Sequence, residues 1–159
     1  MNDNDDEKME RISHYLQAVP TPIPAVLSQM IASGLATRIG AETLHGWFTK
    51  FGQEWAKQIE PQLANVDSLE KLTDYINAYW SEQRWGWIEL TELEDRVLIR
   101  HRAFPLSQLF GEEQLPWSVG LLEGFYRQVF QQLGADSTMQ LRATHYSEDG
   151  FDLHLELTS

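Results

Sequence analysis

The chain offers three sets of residues from which chemistry could be built. They are five histidines, one adjacent pair of carboxylates and two tryptophans around a glycine. The histidines are His14, His45, His101, His145 and His154. Imidazoles hold zinc when their spacing puts them on one face, as in HExxH, and no such spacing occurs here. Cysteine is absent, which removes thiolate ligands and disulfides. Glu112 and Glu113 follow Gly111, but paired acids cleave glycosides only at a set spatial separation, which sequence adjacency does not supply. GxSxG, P-loop and GxGxxG patterns are missing. No catalytic residue, cofactor or metal ligand is assigned. His101 and His145 fall on inward strand positions and read as neutral, hydrogen-bonded core groups. His45 reads as a surface or packing residue.

Trp85 and Trp87 flank Gly86 where a helical pattern gives way to an extended one. Two residues apart in a strand, they point to one side, while Ile88 and Leu90 point to the other. Aromatics so placed serve as a sugar-stacking platform, a protein contact or ordinary core.

The elements that position these residues follow from apolar spacing. Met9 to Val19 reads as a short amphipathic helix, broken by the prolines of Pro20 to Pro24. Ala25 to Ile39 is a second helix, stopped by Gly40. Glu42 to Ile59 carries a wide stripe of Leu44, Trp47, Phe48, Phe51, Trp55 and Ile59. Asp67 and Glu70 resemble a capping box that opens a helix with Leu69, Leu72, Tyr75, Ile76, Tyr79 and Trp80 on one face. Pro116 to Leu133 is the strongest amphipathic helix, ended by Gly134. Within it Gly120 and Gly124 permit close approach of another backbone.

Two hairpins bracket that helix. Trp85 to Leu93 pairs with Arg96 to Ala103 about a Glu94-Asp95 turn. Matching apolar with apolar sets Leu90 opposite Ile99, Glu89 opposite Arg100 and Trp87 opposite Arg102. Ile88, Leu90, Val97 and Ile99 then share one face; Trp85, Trp87, Glu89, Leu98, Arg100 and Arg102 share the other. Thr138 to Tyr146 pairs with Phe151 to Thr158 about a three-residue Glu148-Asp149-Gly150 turn, Gly150 supplying the left-handed position. That register joins Leu141 with Leu157, Ala143 with Leu155, His145 with Leu153 and Thr144 with His154. The fold class is α+β: N-terminal helices, then two antiparallel hairpins separated by a long amphipathic helix, with helices on one face of the strands.

Composition bounds the function. A chain of 159 residues fits one domain, drawn as an acidic mobile tail over 1–8 and a single domain over 9–159. The net charge of −12 disfavours nucleic acid and anionic membranes, which need clustered Lys and Arg. No apolar run approaches the roughly 18 residues of a membrane span, and the acidic start lacks the features of a secretory leader. The expected location is cytoplasmic.

With these residues laid out, the chain resembles the D subunit of bacterial cellulose synthase operons. The resemblance rests on "INAYWSEQRWGWIEL", "RVLIRHRAFPL" and "WSVGLLEGFYRQVFQQLGA", with weaker matches at "GLATRI" and "YLQA". It implies a non-catalytic accessory subunit that forms a ring-like homo-octamer, a tetramer of dimers, and promotes secretion of ordered, crystalline cellulose. Its implied partners are further copies of itself, the synthase complex, a proline-rich accessory protein and glucan chains in the inner passageways. The family has also been placed in the periplasm. A weaker resemblance, to vinyl-reductase-type ligand-binding domains, implies a small-ligand sensor. A glucan-binding module is the other alternative. Trp85, Trp87, Glu89, Arg100 and Arg102 are the candidate oligomer-interface or glucan-contact residues, and the interface is the favoured role.

Overall fold

The computed structural model describes residues 24–148 and 150–159. The acidic tail, the Met9–Val19 helix, residues 20–23 and the middle of the last turn lie outside them. Helix α1, Ala25–Ile39, runs to Gly40, as the apolar spacing predicts. Helix α2, Ala41–Lys57, follows at once and leads through a 3-10 segment, Glu60–Asn65, towards α3, Leu69–Gln83. The N-cap of α3 is Ser68, whose hydroxyl accepts from the Lys71 N–H at 3.2 Å. Asp67, the expected cap, lies one residue outside and pairs with the Lys71 ammonium at 2.7 Å.

Strands β1, Trp87–Glu92, and β2, Arg96–Arg102, form the first hairpin in the expected register, including Leu90 opposite Ile99 and Trp87 opposite Arg102. Short helices α4, Leu106–Phe110, and α5, Leu115–Ser118, then lead into α6, Gly120–Gln132. Strands β3, Gln140–Tyr146, and β4, Asp152–Thr158, close the chain. The two hairpins are not separate. β2 pairs with β4, giving one antiparallel sheet of order β1-β2-β4-β3.

The second hairpin departs from expectation at one residue. Leu141 faces Leu157 and Ala143 faces Leu155, but the register then shifts, so His145 lies opposite His154 and Tyr146 opposite Leu153. Thr144 is the extra residue; its hydroxyl donates to the His154 carbonyl at 3.3 Å. A bulge of this kind turns the following side chains to the other face. His145 is consequently exposed, not inward.

Helices cover one face of the sheet. Ile88, Ile99, His101, Leu141, Leu153, Leu155 and Leu157 are buried there with Leu72, Ile76, Trp80, Leu122, Phe125, Tyr126 and Val129. Helices α2 and α6 cross through glycines. A Cβ on Gly52 would overlap the Leu121 carbonyl oxygen, and one on Gly124 the Thr49 carbonyl oxygen. Gly120 and Gly124 thus play the expected packing role. Centring the contact on small residues also rotates α2. Its buried positions are Leu44, Gly52 and Ala56, and the stripe expected to be core leaves Trp47 and Phe51 exposed. A smaller cluster of Ala32, Leu44 and Trp117, with Phe48 and Phe110 against it, ties α1 to α2 and α5.

Candidate functional site

The tryptophan pair is split by backbone geometry. Arg84 ends α3 with φ 58° and Gly86 has φ 76°, so two left-handed residues flank Trp85. Side-chain alternation needs extended backbone, and it starts only at Trp87. Trp85 therefore does not share the polar face; its ring packs edge-on to Trp55 at 5.1 Å and stacks on Trp80 at 5.7 Å. Gly86 passes so close to β2 that a Cβ would overlap the Arg102 carbonyl oxygen. Trp87 is 47% exposed on the open side.

Beneath Trp85 lies a closed chain of hydrogen bonds. The Trp85 carbonyl can only accept, so His101 Nε2–H donates to it, at 2.6 Å. His101 Nδ1 then accepts from the Tyr126 hydroxyl at 2.7 Å, and that hydroxyl accepts from Trp80 Nε1–H at 2.9 Å. Every polar group is satisfied in the neutral state. Burial pushes His101 down to about 4 and raises Tyr126 well above its usual value. His101 is thus the neutral core histidine the sequence implies.

The other candidates sit together on the open sheet face. Glu89 accepts from Arg102 Nε at 3.1 Å and lies 3.6 Å from Arg100, while Arg102 also reaches Asp152 at 3.3 Å. Arg96 bridges Asp95 and Glu156 across the same sheet. Burial, then the Arg100 guanidinium, holds the His154 imidazole below its ordinary range. The cleft among Glu89, Thr91, Arg100, Thr144 and His154 measures about 170 Å³, well below the roughly 300 Å³ at which pockets begin to enclose ligands. Its chemistry is that of a paired, polar contact surface carrying one exposed tryptophan.

The remaining polar candidates do not join that face. Glu112 and Glu113 line a cleft of about 560 Å³ with Gln29, Ser33, Gln108 and Gln114, a hydrogen-bonding wall of amides and carboxylates. His45 Nε2 contacts Glu123 at 2.9 Å, locking α2 to α6 beside Gly120. Among the described residues no group of three or more His, Asp or Glu is placed to hold a metal ion.

A second surface escaped the sequence reading. Helix α1 carries no ionisable side chain before Arg38, yet only Ala32 of it is buried. Val26 is 69% exposed and Met30 66%, with Leu27 and Ile31 close to half. The helix is held by Ser28 and Gln29, which bond the carbonyls of Leu109 and Gln108, and by Ala32, Leu35, Ala36 and Ile39 packing on the cluster with Leu44 and Trp117. Trp47 and Phe51 add exposed aromatics on α2. An available signal was a helix without a charged face, Arg38 being its single ionisable residue, which is atypical of a helix that shows one side to water. Another was Gly34 and Gly46 in helix interiors, where an added Cβ meets nothing within 4 Å.

The family model for the cellulose synthase D subunit matches residues 24–156, nearly the whole chain. The chain belongs to the cellulose synthase D-subunit family. That membership supports a role in cellulose synthesis and fits the class of an accessory component of the synthase. Comparison with curated proteins finds no significant match. Among the described residues, no helix of this D-subunit chain is long and apolar enough to cross a membrane.

Proposed function

We propose that this protein is a non-catalytic scaffold. It assembles as a ring-like homo-octamer, a tetramer of dimers, that arrays synthase complexes and promotes export of ordered glucan chains. The observation carrying this reading is α1, an apolar helix with one buried residue. In water its exposed side chains favour association at about 25 cal/mol per Å² buried. In a chain of net charge −12, the uncharged α1 surface with Trp47 and Phe51 is where like-charged copies approach at least electrostatic cost. Sedimentation velocity tests it: the full chain runs as an oligomer at micromolar concentration, and Met30→Glu with Ile31→Glu lowers the mass while helicity persists. A monomeric parent ends the scaffold reading.

Exposed Trp87 beside the Glu89–Arg102–Asp152 pairs favours a second contact surface on the open sheet. Trp87, Glu89, Arg100 and Arg102 close the ring there, or touch glucan or the proline-rich accessory protein. Trp85 supports that face from the interior. Trp87→Ala with unchanged mass but lost cello-oligosaccharide binding favours glucan contact; reduced mass favours ring closure.

A further inference from the structure

An apolar groove of about 390 Å³ opens at one end of the sheet, lined by Val66, Leu69, Val97, Phe130, Leu133 and Met139. Val66, Leu69, Val97, Leu133 and Met139 are only partly buried, so the protomer leaves its apolar wall accessible. The rim is acidic. Glu92 and Asp67 border the groove, and Glu94 and Asp95 follow Glu92 in the β1–β2 turn. Asp67 is paired with Lys71, and Asp95 with Arg96. Glu92 and Glu94 have no cationic partner among the described residues. The C-terminal end of α6 also closes on the groove through Leu133 and Gly134, adding the negative end of a helix dipole.

We propose that this groove docks a segment of another polypeptide that combines apolar anchor side chains with Lys or Arg. Charge decides among occupants. Residues 1–23 of this chain hold five acids against Lys8 and Arg11, a net −3, and a second copy carries −12 overall; both meet the rim with like net charge. A basic, apolar segment fills the groove and neutralises Glu92 and Glu94, the arrangement that speeds encounter and fixes orientation in charged interfaces. This inference is independent of the ring reading, because its readout is not oligomeric mass.

The test uses the full chain with isotope-labelled methionine methyls. Met139 reports on the groove and Met30 on α1. The probe is a short synthetic peptide of Leu and Lys, with a Leu and Glu peptide as its counterpart. Expected at physiological salt is a saturable shift of Met139 with the Lys peptide alone, Met30 unmoved. Glu92→Lys with Glu94→Lys weakens binding about tenfold. The same exchange at Glu112 and Glu113, towards the other end of β4, leaves it unchanged. Equal loss from both charge exchanges shows bulk attraction only and overturns the proposal, as does an unresponsive Met139. A Met139 signal that moves on Met9→Lys without peptide assigns the groove to the chain's own N-terminal segment. One that moves on dilution assigns it to a second copy. Either result overturns the proposal.

Discussion

Tyr126 and His101 meet in the core: the tyrosine hydroxyl donates to His101 Nδ1 at 2.7 Å, and burial away from solvent keeps both neutral. Protonating His101 would put a donor opposite a donor in a buried site where the Asp152 carboxylate offsets only part of the desolvation cost. The folded chain therefore resists the proton down to about pH 4, while the unfolded chain accepts it below about 6.5. The unfolded state gains the proton first, so stability falls as pH drops from about 6.5 to about 4 and then levels for this group. The loss totals about 3 kcal/mol. Urea midpoints at fixed protein concentration between pH 7 and 4 measure it, and His101→Gln removes that part of the slope.

The glycine crossing of α2 and α6 has no slack. Gly124→Ala drives a methyl into the Thr49 carbonyl and is expected to cost about 3 kcal/mol, at the upper end of overpacking effects. Gly46→Ala meets nothing in the protomer and should gain up to about 1 kcal/mol from helix propensity. Thermal unfolding of the two variants separates them. Reduced oligomer mass for Gly46→Ala would instead mark a second backbone passing there.

Asn77 reaches from α3 to β1, where its amide accepts from the Ile88 N–H at 2.6 Å and donates to the Ile88 carbonyl at 3.1 Å. Asn77→Ala removes both bonds and leaves a partly buried pair unsatisfied. A loss of about 2 kcal/mol is expected in chemical denaturation.

The two tryptophans should behave as different kinds of residue. Trp85→Ala opens a hole against Trp55 and Trp80 and is expected to cost about 3 kcal/mol. Trp87→Ala, on the open face, should change the unfolding midpoint by less than about 1 kcal/mol. Paired urea titrations check both, and a large loss at Trp87 would place it in the fold instead of on a contact surface.

Much of the fold was legible because its local rules agree. The four-residue spacing of Leu27, Ile31, Leu35 and Ile39 marks α1, and the two-residue turn fixes the β1–β2 register from side-chain polarity alone. Two misses on the strands share a cause: a local backbone irregularity changes which way a side chain points. The left-handed Arg84 and Gly86 turn Trp85 inward, and the bulge at Thr144 carries His145 outward. Joining β2 to β4 was not legible, since nothing local selects between two separate hairpins and one sheet. Of the site, Trp87, Glu89, Arg100 and Arg102 could be placed on one face by register. The α1 surface left a weaker trace, a helix nearly without charge, and that trace fits buried core as well as a contact surface.

The outer strands of the sheet have a bearing on how such molecules behave when crowded. A bare strand edge is a template that adds identical chains without limit, the route to insoluble fibres. Here the Asn77 amide occupies the β1 edge at Ile88, and the extra residue Thr144 warps β3. Strand addition is thereby hindered at one point on each margin, at Ile88 on β1 and at Thr144 on β3.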